Sequence, residues 1–187
     1  MLDVAVETER LRLVRPRDKD AAAIFTRYSS DTDVTRYVGW PRHESVTQAE
    51  AFIEFSDQEW TQNGSGPYLI WSRIDATLLG GTGLHVDESG RTETGYVLAK
   101  DAWGKGYATE ALRAMILVAQ PIGIPQLLAF CHADHRASAH VLEKCHFTFD
   151  RLIPDQTFPD LTPPSGAARL YTLSLLPVRR AEPVDDL

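Results

Sequence analysis

The sequence predicts a mixed α/β domain built on a central, mostly antiparallel sheet with flanking helices. Three observations lead there. Strand-like runs at 68–72, 78–86 and 92–99 follow one another across short turns, the pattern of an antiparallel meander. The third run passes through a glycine-bearing turn at 103–106 into a helical stretch and then an apolar run at 126–132; such a strand–helix–strand unit implies one parallel pair. The chain has 187 residues, 43% hydrophobic and 24% charged, which suits one packed domain and not a disordered chain.

Each element has its own local signal. Arg10-Leu11-Arg12-Leu13-Val14-Arg15 alternates apolar and charged residues as a half-buried strand does, and Pro16 and Asp18 end it. Ala21 to Phe25 reads as a short helix. Thr47 with Glu50 forms a capping-box signature, after which Ala51, Phe52, Phe55 and Trp60 share one helical face up to Gln62. Asn63 to Pro67 is a loop, and turns at Asp75-Ala76 and Asp87-Glu88-Ser89-Gly90 separate the three meander runs. Beyond the glycine turn, Ala108, Ala111, Leu112, Met115 and Ile116 recur at helical spacing within Tyr107 to Ala119. Gln126 to His132 reads as a buried strand, and Ala137 to Cys145 as a short helix with Val141 and Leu142 inward. Phe147 to Ile153 and Leu170 to Leu175 are the last strand-like runs. Between them Pro154, Pro159, Pro163 and Pro164 are incompatible with a core strand and predict a surface loop or flap. The expected organisation is a single domain over 1–176 and a flexible tail over 177–187.

Bulk properties exclude some function classes. A formal net charge of -7 argues against nucleic acid or an anionic membrane as partner. No apolar run approaches the ~20 residues that span a bilayer, and the first residues lack a basic segment followed by an apolar one. Cys131 and Cys145 form neither a CxxC motif nor a disulfide framework, which fits buried thiols in a reducing compartment. A soluble, cytoplasmic protein is expected. His132, Asp134, His135 and His140 with Cys131 follow no standard zinc spacing, so no metal is expected.

The chemistry is concentrated in Trp103-Gly104-Lys105-Gly106-Tyr107-Ala108-Thr109-Glu110. A glycine turn opening a helix leaves backbone N–H groups pointing outward at the positive end of the helix, which makes a phosphate cradle. A P-loop would end in Gly-Lys-Ser/Thr, but Gly106 follows Lys105. A dinucleotide fingerprint would place Gly or Ala at Thr109 and an acidic residue ~20 positions on, where Gln126-Leu127-Leu128 stands.

A third pattern fits. Trp103 to Ala108, followed by a helix and the turn Asp134-His135-Arg136-Ala137-Ser138, resembles the GNAT N-acetyltransferases, especially their ribosomal-protein N-terminal acetyltransferase-like (RimJ/RimL-type) branch. Gly106 and Ala108 match the fixed small positions of the family's Gln/Arg-x-x-Gly-x-Gly/Ala pattern, and Trp103 stands where Gln or Arg is usual. Thr8-Glu9-Arg10-Leu11-Arg12-Leu13, Leu79 to Leu84 and Glu93-Thr94-Gly95-Tyr96 look like the family's first, third and fourth strands. His135 to Phe147 looks like its Asn-x-x-Ser…Leu-Glu-Lys-x-Gly-Phe motif, so the resemblance covers roughly residues 8 to 175. Two positions depart from it: His135 replaces Asn, and His146 replaces the Gly before Phe147, which predicts a looser helix end.

The resemblance implies a GNAT acyl-CoA N-acyltransferase fold whose sheet splays between the fourth and fifth strands, here 92–99 and 126–132. It implies acetyl-CoA as cosubstrate, held by Trp103, Gly104, Lys105, Gly106, Ala108, Thr109 and His135, with backbone N–H groups near Val97, Leu98 and Ala99 meeting the thioester carbonyl. Ser138 matches the branch's serine and would donate to the leaving thiolate, although a serine there also starts a helix. Glu93 stands where relatives carry a carboxylate that deprotonates the amine, with His85, Asp87, His132 and Asp134 as lower-ranked rivals. Tyr37 and Trp40 lie where relatives contact the acceptor, within the acceptor-facing segments Arg27 to Arg42 and Pro154 to Gly166. The implied reaction is direct acetyl transfer to a primary amine, a protein or peptide N-terminal α-amine or a small-molecule amine. The alternative is a silent acyl-CoA-binding sensor or interaction domain. Both a monomer and a homodimer remain open.

Overall fold

The computed structural model describes residues 5–87 and 89–175; the expected domain limits at 1 and 176, and the tail at 177–187, lie outside them. Its strands are β1 (Val6–Glu7), β2 (Leu11–Val14), β3 (Pro67–Ser72), β4 (Leu78–Val86), β5 (Thr92–Leu98), β6 (Gln126–His132), β7 (Thr148–Thr157) and β8 (Ser165–Ser174). They form one sheet of order β1-β2-β3-β4-β5-β6-β8-β7, parallel at β5/β6 and antiparallel elsewhere. The helices are α1 (Ala21–Ile24), α2 (Thr32–Thr35), α3 (Val46–Asn63), α4 (Tyr107–Ala119) and α5 (Arg136–Lys144), with a short π-turn over Phe25–Ser29.

Alternation along the strands sorts the core into two layers. Tyr68, Ile70, Leu79, Leu84 and Leu98 pack with Leu112 and Met115 of α4 and Leu142 of α5. Leu69, Leu78, Ala99 and Val97 face the opposite side, with Ile24 of α1 and Ala49 and Ile53 of α3. The strand–helix–strand prediction holds, because β5, α4 and β6 give the parallel pair. Among the described residues that pair has two register partners, Thr92↔Leu127 and Glu93↔Leu128, although β5 runs on to Leu98. The sheet therefore splays open past Glu93.

Four local expectations need correction. The α3 cap is Ser45 and not Thr47: the Gln48 side chain accepts from the N–H groups of Ser45 (3.2 Å) and Glu44 (2.5 Å). The helix then buries Ala49, Ile53, Ser56 and Glu59, while Ala51, Phe52 and Phe55 turn toward a cavity. The proline-rich stretch is not all loop. β7 continues through Pro154 with a register break between Ile153 and Gln156, which an edge strand tolerates because one side of it pairs with nothing in the sheet. His146 takes φ 67, a left-handed conformation that favours glycine, and the turn closes with Phe147 N–H on the Leu142 carbonyl at 3.1 Å. The helix end is thus tight, with the strain carried by a histidine.

Candidate active site

The splay opens into a cavity of about 1190 Å³, larger than the roughly 300–1,000 Å³ of single small-molecule sites. Of the residues expected at the site, Tyr37, Trp40, Glu93, Val97, Leu98, Trp103, Gly104, Ala108, His135 and Ser138 line it. Lys105, Gly106 and Thr109 do not; Lys105 and Gly106 are exposed on the turn beside it, and Thr109 is half-buried.

The glycine turn leaves an open side and unladdered N–H groups at the start of α4. Gly104 and Gly106 have φ 71 and φ 81, and a Cβ on Gly104 would meet nothing within 4 Å, so that side of the turn is open. The first backbone bond into α4 runs from Glu110 N–H to the Gly106 carbonyl at 3.1 Å, which leaves the N–H groups of Tyr107, Ala108 and Thr109 ahead of the helical ladder. Trp103 is fixed by its indole N–H on the Leu98 carbonyl at 2.8 Å, tying the turn to the end of β5.

What holds the turn was hidden in the sequence. Glu110, one turn into α4, accepts from Thr8 Oγ1 (2.5 Å), from Arg10 N–H (2.9 Å) and from Arg10 Nε (2.7 Å). Arg10 also donates to the Lys105 carbonyl at 2.9 Å and lies 4.7 Å from the Tyr107 ring centroid. The residues at the start of β2 thus clamp the glycine turn.

At the splay, Tyr96 Oη and Ser138 Oγ are 3.0 Å apart. Burial pushes the Tyr96 hydroxyl up to about 12 against the lowering effect of its hydrogen bond to Ser138, so it keeps its proton at neutral pH. Tyr96 carries no local signal for a role, because the pairing needs β5 and α5 brought together across the splay. Cys131 lines the same cavity as a buried free thiol pushed up to about 11 by burial, which makes it inert as a thiolate nucleophile at neutral pH.

On the α3 side, burial raises the Glu93 carboxyl. His85 stands directly across from Glu93 in the ladder and lines the cavity. The other rivals do not. Asp87 is held well below the usual carboxylate range, first by Ser89 and then by the Arg91 N–H. His132 is buried, accepting at Nδ1 from the Asp134 N–H at 3.1 Å, and the Asp134 side chain is 82% exposed. Among the described residues no three His, Cys, Asp or Glu side chains are grouped to hold a metal ion, and no helix is long and apolar enough to cross a membrane.

The segments 27–42 and 154–166 meet and both line the cavity. Asp160 accepts from Thr35 Oγ1 and from the Arg42 N–H (3.2 Å). Tyr37 stacks on His132 at 4.8 Å and tilts against His135 at 5.0 Å, and His132 meets Phe158 edge-on at 4.7 Å. Burial lowers His135, with His132 adding to it, so its ring is neutral at physiological pH.

Residues 10–148 match the family described as acetyltransferase (GNAT) domain. The uncharacterised N-acetyltransferase YoaA of Bacillus subtilis (strain 168) is 29% identical over 161 residues, 84% of this chain and 90% of that protein. The solved structure of RimL, a ribosomal L7/L12 α-N-protein acetyltransferase in complex with coenzyme A, has TM-score 0.81 at 16% identity, covering 91% of this chain and 98% of its own. The microcin C7 self-immunity acetyltransferase MccE, solved with acetyl-CoA and AMP, has TM-score 0.78 at 18% identity over 89% of this chain and 93% of its own. The chain belongs to the GNAT family and is an N-acetyltransferase.

Proposed function

We propose that the protein transfers the acetyl group of acetyl-CoA directly to a primary amine, a peptide N-terminal α-amine or a small-molecule amine, as a RimJ/RimL-like enzyme. The observation that carries this reading is one cavity that runs through the β5/β6 splay, from the glycine turn to the α3 side. The turn at 104–109 fits the pyrophosphate of the donor, whose thioester supplies an activated acetyl carbonyl when bound. Val97 and Leu98 keep their β4 partners Gly81 and Gly80 but have none on β6, and this open side of β5 offers a main-chain donor where that carbonyl develops charge. Ser138 and Tyr96 hold a proton for the departing thiolate. The carboxylate and imidazole on the α3 side face the acceptor. A modest base suits α-amines near ~7.7–8 better than lysine amines near ~10.4.

The test is release of free thiol from acetyl-CoA with a panel of α-amine peptides, polyamines and aminoglycosides. Turnover with an α-amine peptide or a small amine is expected. Acetyl-CoA binding without thiol release across the panel would favour the sensor reading, and no acetyl-CoA binding would remove both.

A further inference from the structure

Glu59 of α3 is 8% exposed and lies on the side of the helix that packs onto the sheet. Its Oε2 is 2.7 Å from His85 Nδ1 on β4. A carboxylate can only accept, so the bond fixes Nδ1 as the protonated nitrogen and leaves the Nε2 lone pair bare. The His85 side chain remains 49% exposed at the cavity, 6.2 Å from the Phe55 ring. The carboxylate is buried, and the imidazole faces the cavity on its α3 side. Register places Glu93 on the same sheet face, directly opposite His85. The charged groups facing this imidazole are Glu59 from α3 and Glu93 from β5, with the Asp87–Arg91 pair in the turn beyond (2.8 Å).

We infer that His85, oriented by the buried Glu59, is the group that takes the proton from the acceptor amine, with Glu93 as its anionic neighbour and not as the base itself. The inference rests on the acetyl-transfer reading above. An ammonium acceptor gives one proton to Nε2 of His85 and becomes nucleophilic. Its lone pair forms the C–N bond at the acetyl carbonyl carbon as the C–S bond breaks, and the sulfur leaves with that electron pair. The thiolate takes a proton from the Ser138–Tyr96 hydroxyl pair, which is restored by the second proton lost from nitrogen. His85 returns its proton to solvent. The balance is ammonium plus thioester to amide, thiol and one released proton. An imidazole, whose ordinary titration lies nearest neutral pH, is better matched to this than a carboxylate.

Two measurements test it. Long-range proton–nitrogen NMR of the free protein reads the His85 tautomer without any substrate: Nδ1–H is expected in the native chain, with a shift toward Nε2–H in Glu59→Leu. Thiol-release kinetics, with the amine from the panel that turns over best, should show kcat/KM lowered about 100-fold in His85→Gln and about tenfold in Glu59→Gln. In His85→Gln the acid limb of the pH profile should flatten while the KM for acetyl-CoA stays the same. An Nε2–H tautomer in the native chain overturns the inference, as does a His85→Gln enzyme within threefold of native with an unchanged pH profile. If no amine turns over, the transfer reading fails, and the tautomer still decides whether Glu59 sets His85.

Discussion

Replacing Arg10 with alanine strikes the clamp that joins β2 to the glycine turn. The change removes the Arg10 Nε and NH2 contacts to Glu110 Oε2 (2.7 Å each), the bond to the Lys105 carbonyl (2.9 Å) and the guanidinium over Tyr107 (4.7 Å). Glu110 keeps Thr8 Oγ1 and the main-chain N–H of residue 10. Hydrogen bonds to charged groups contribute roughly 1.5–3 kcal/mol each when shielded. The Arg10 side chain is 36% exposed and that of Glu110 16%, so solvent screens much of the pair and the net loss is about 2 kcal/mol. For a domain of this size that lowers Tm by about 4–8 °C. If about 1 kcal/mol of the loss is the cost of reordering the turn on binding, the Kd for acetyl-CoA rises about fivefold. Thermal unfolding and calorimetric titration with acetyl-CoA measure the two effects. A Tm that falls while Kd stays within twofold of native would refute the positioning role of the clamp, and neither changing would refute the clamp altogether. Acid sharpens the assay. Burial alone would raise the Glu110 carboxyl, but its bonds from Thr8, the Arg10 N–H and the Arg10 guanidinium outweigh burial and hold it lowered. A depressed folded value means the clamp's Glu110 contribution is complete above the unfolded value of ~4.3 and fades as pH falls through the folded one, so the gap between native and Arg10→Ala stabilities narrows in acid to what the Lys105 carbonyl and Tyr107 contacts supply.

Three further outcomes follow from the same geometry. Tyr96→Phe and Ser138→Ala should each lower kcat for thiol release by about tenfold to 100-fold with acetyl-CoA affinity nearly unchanged; an unaltered kcat removes that hydroxyl from the reaction. Gly80→Ala would place a Cβ 2.0 Å from the Val97 carbonyl oxygen, so β5 must shift where the thioester is expected, and kcat should fall by about tenfold or more in a variant that still folds by circular dichroism; native turnover would show that Val97 does not position the donor. His146→Gly relieves the left-handed strain at φ 67, which costs a non-glycine residue roughly 1–2 kcal/mol, partly offset by glycine's freedom in the unfolded chain. Calorimetry should show a Tm raised by about 2–3 °C, and a lower Tm would refute the strain.

The sequence was most informative where a signal is local. The helix Tyr107–Ala119 and the strand Gln126–His132 have the bounds their periodicity predicts, because apolar spacing and the flanking glycines and prolines act within one element. The glycine turn at 103–106 was legible for the same reason. Local signals misled at α3, where Thr47/Glu50 and Ser45/Gln48 are equally good caps by pattern and tertiary packing of Ala49 and Ile53 chose between them. They misled again at Pro154, since whether a strand is an edge is a property of the sheet and not of its own residues. Pairings across the chain left no trace in composition or spacing. Arg10 with Glu110, Tyr96 with Ser138 and Glu59 with His85 are separated by 100, 42 and 26 residues. Each joins elements that only the folded sheet brings together.

In the proposed function the turn at 104–109 holds the diphosphate of acetyl-CoA, while the side of β5 left without β6 partners beyond Glu93 faces the thioester. Amide NMR of the protein titrated with acetyl-CoA measures this residue by residue. The largest shifts are expected at the N–H groups of Gly104 to Thr109 and of Val97 and Leu98, saturating together. Saturable shifts that leave Gly104 to Thr109 unmoved, or no saturable shift at all, would contradict the account.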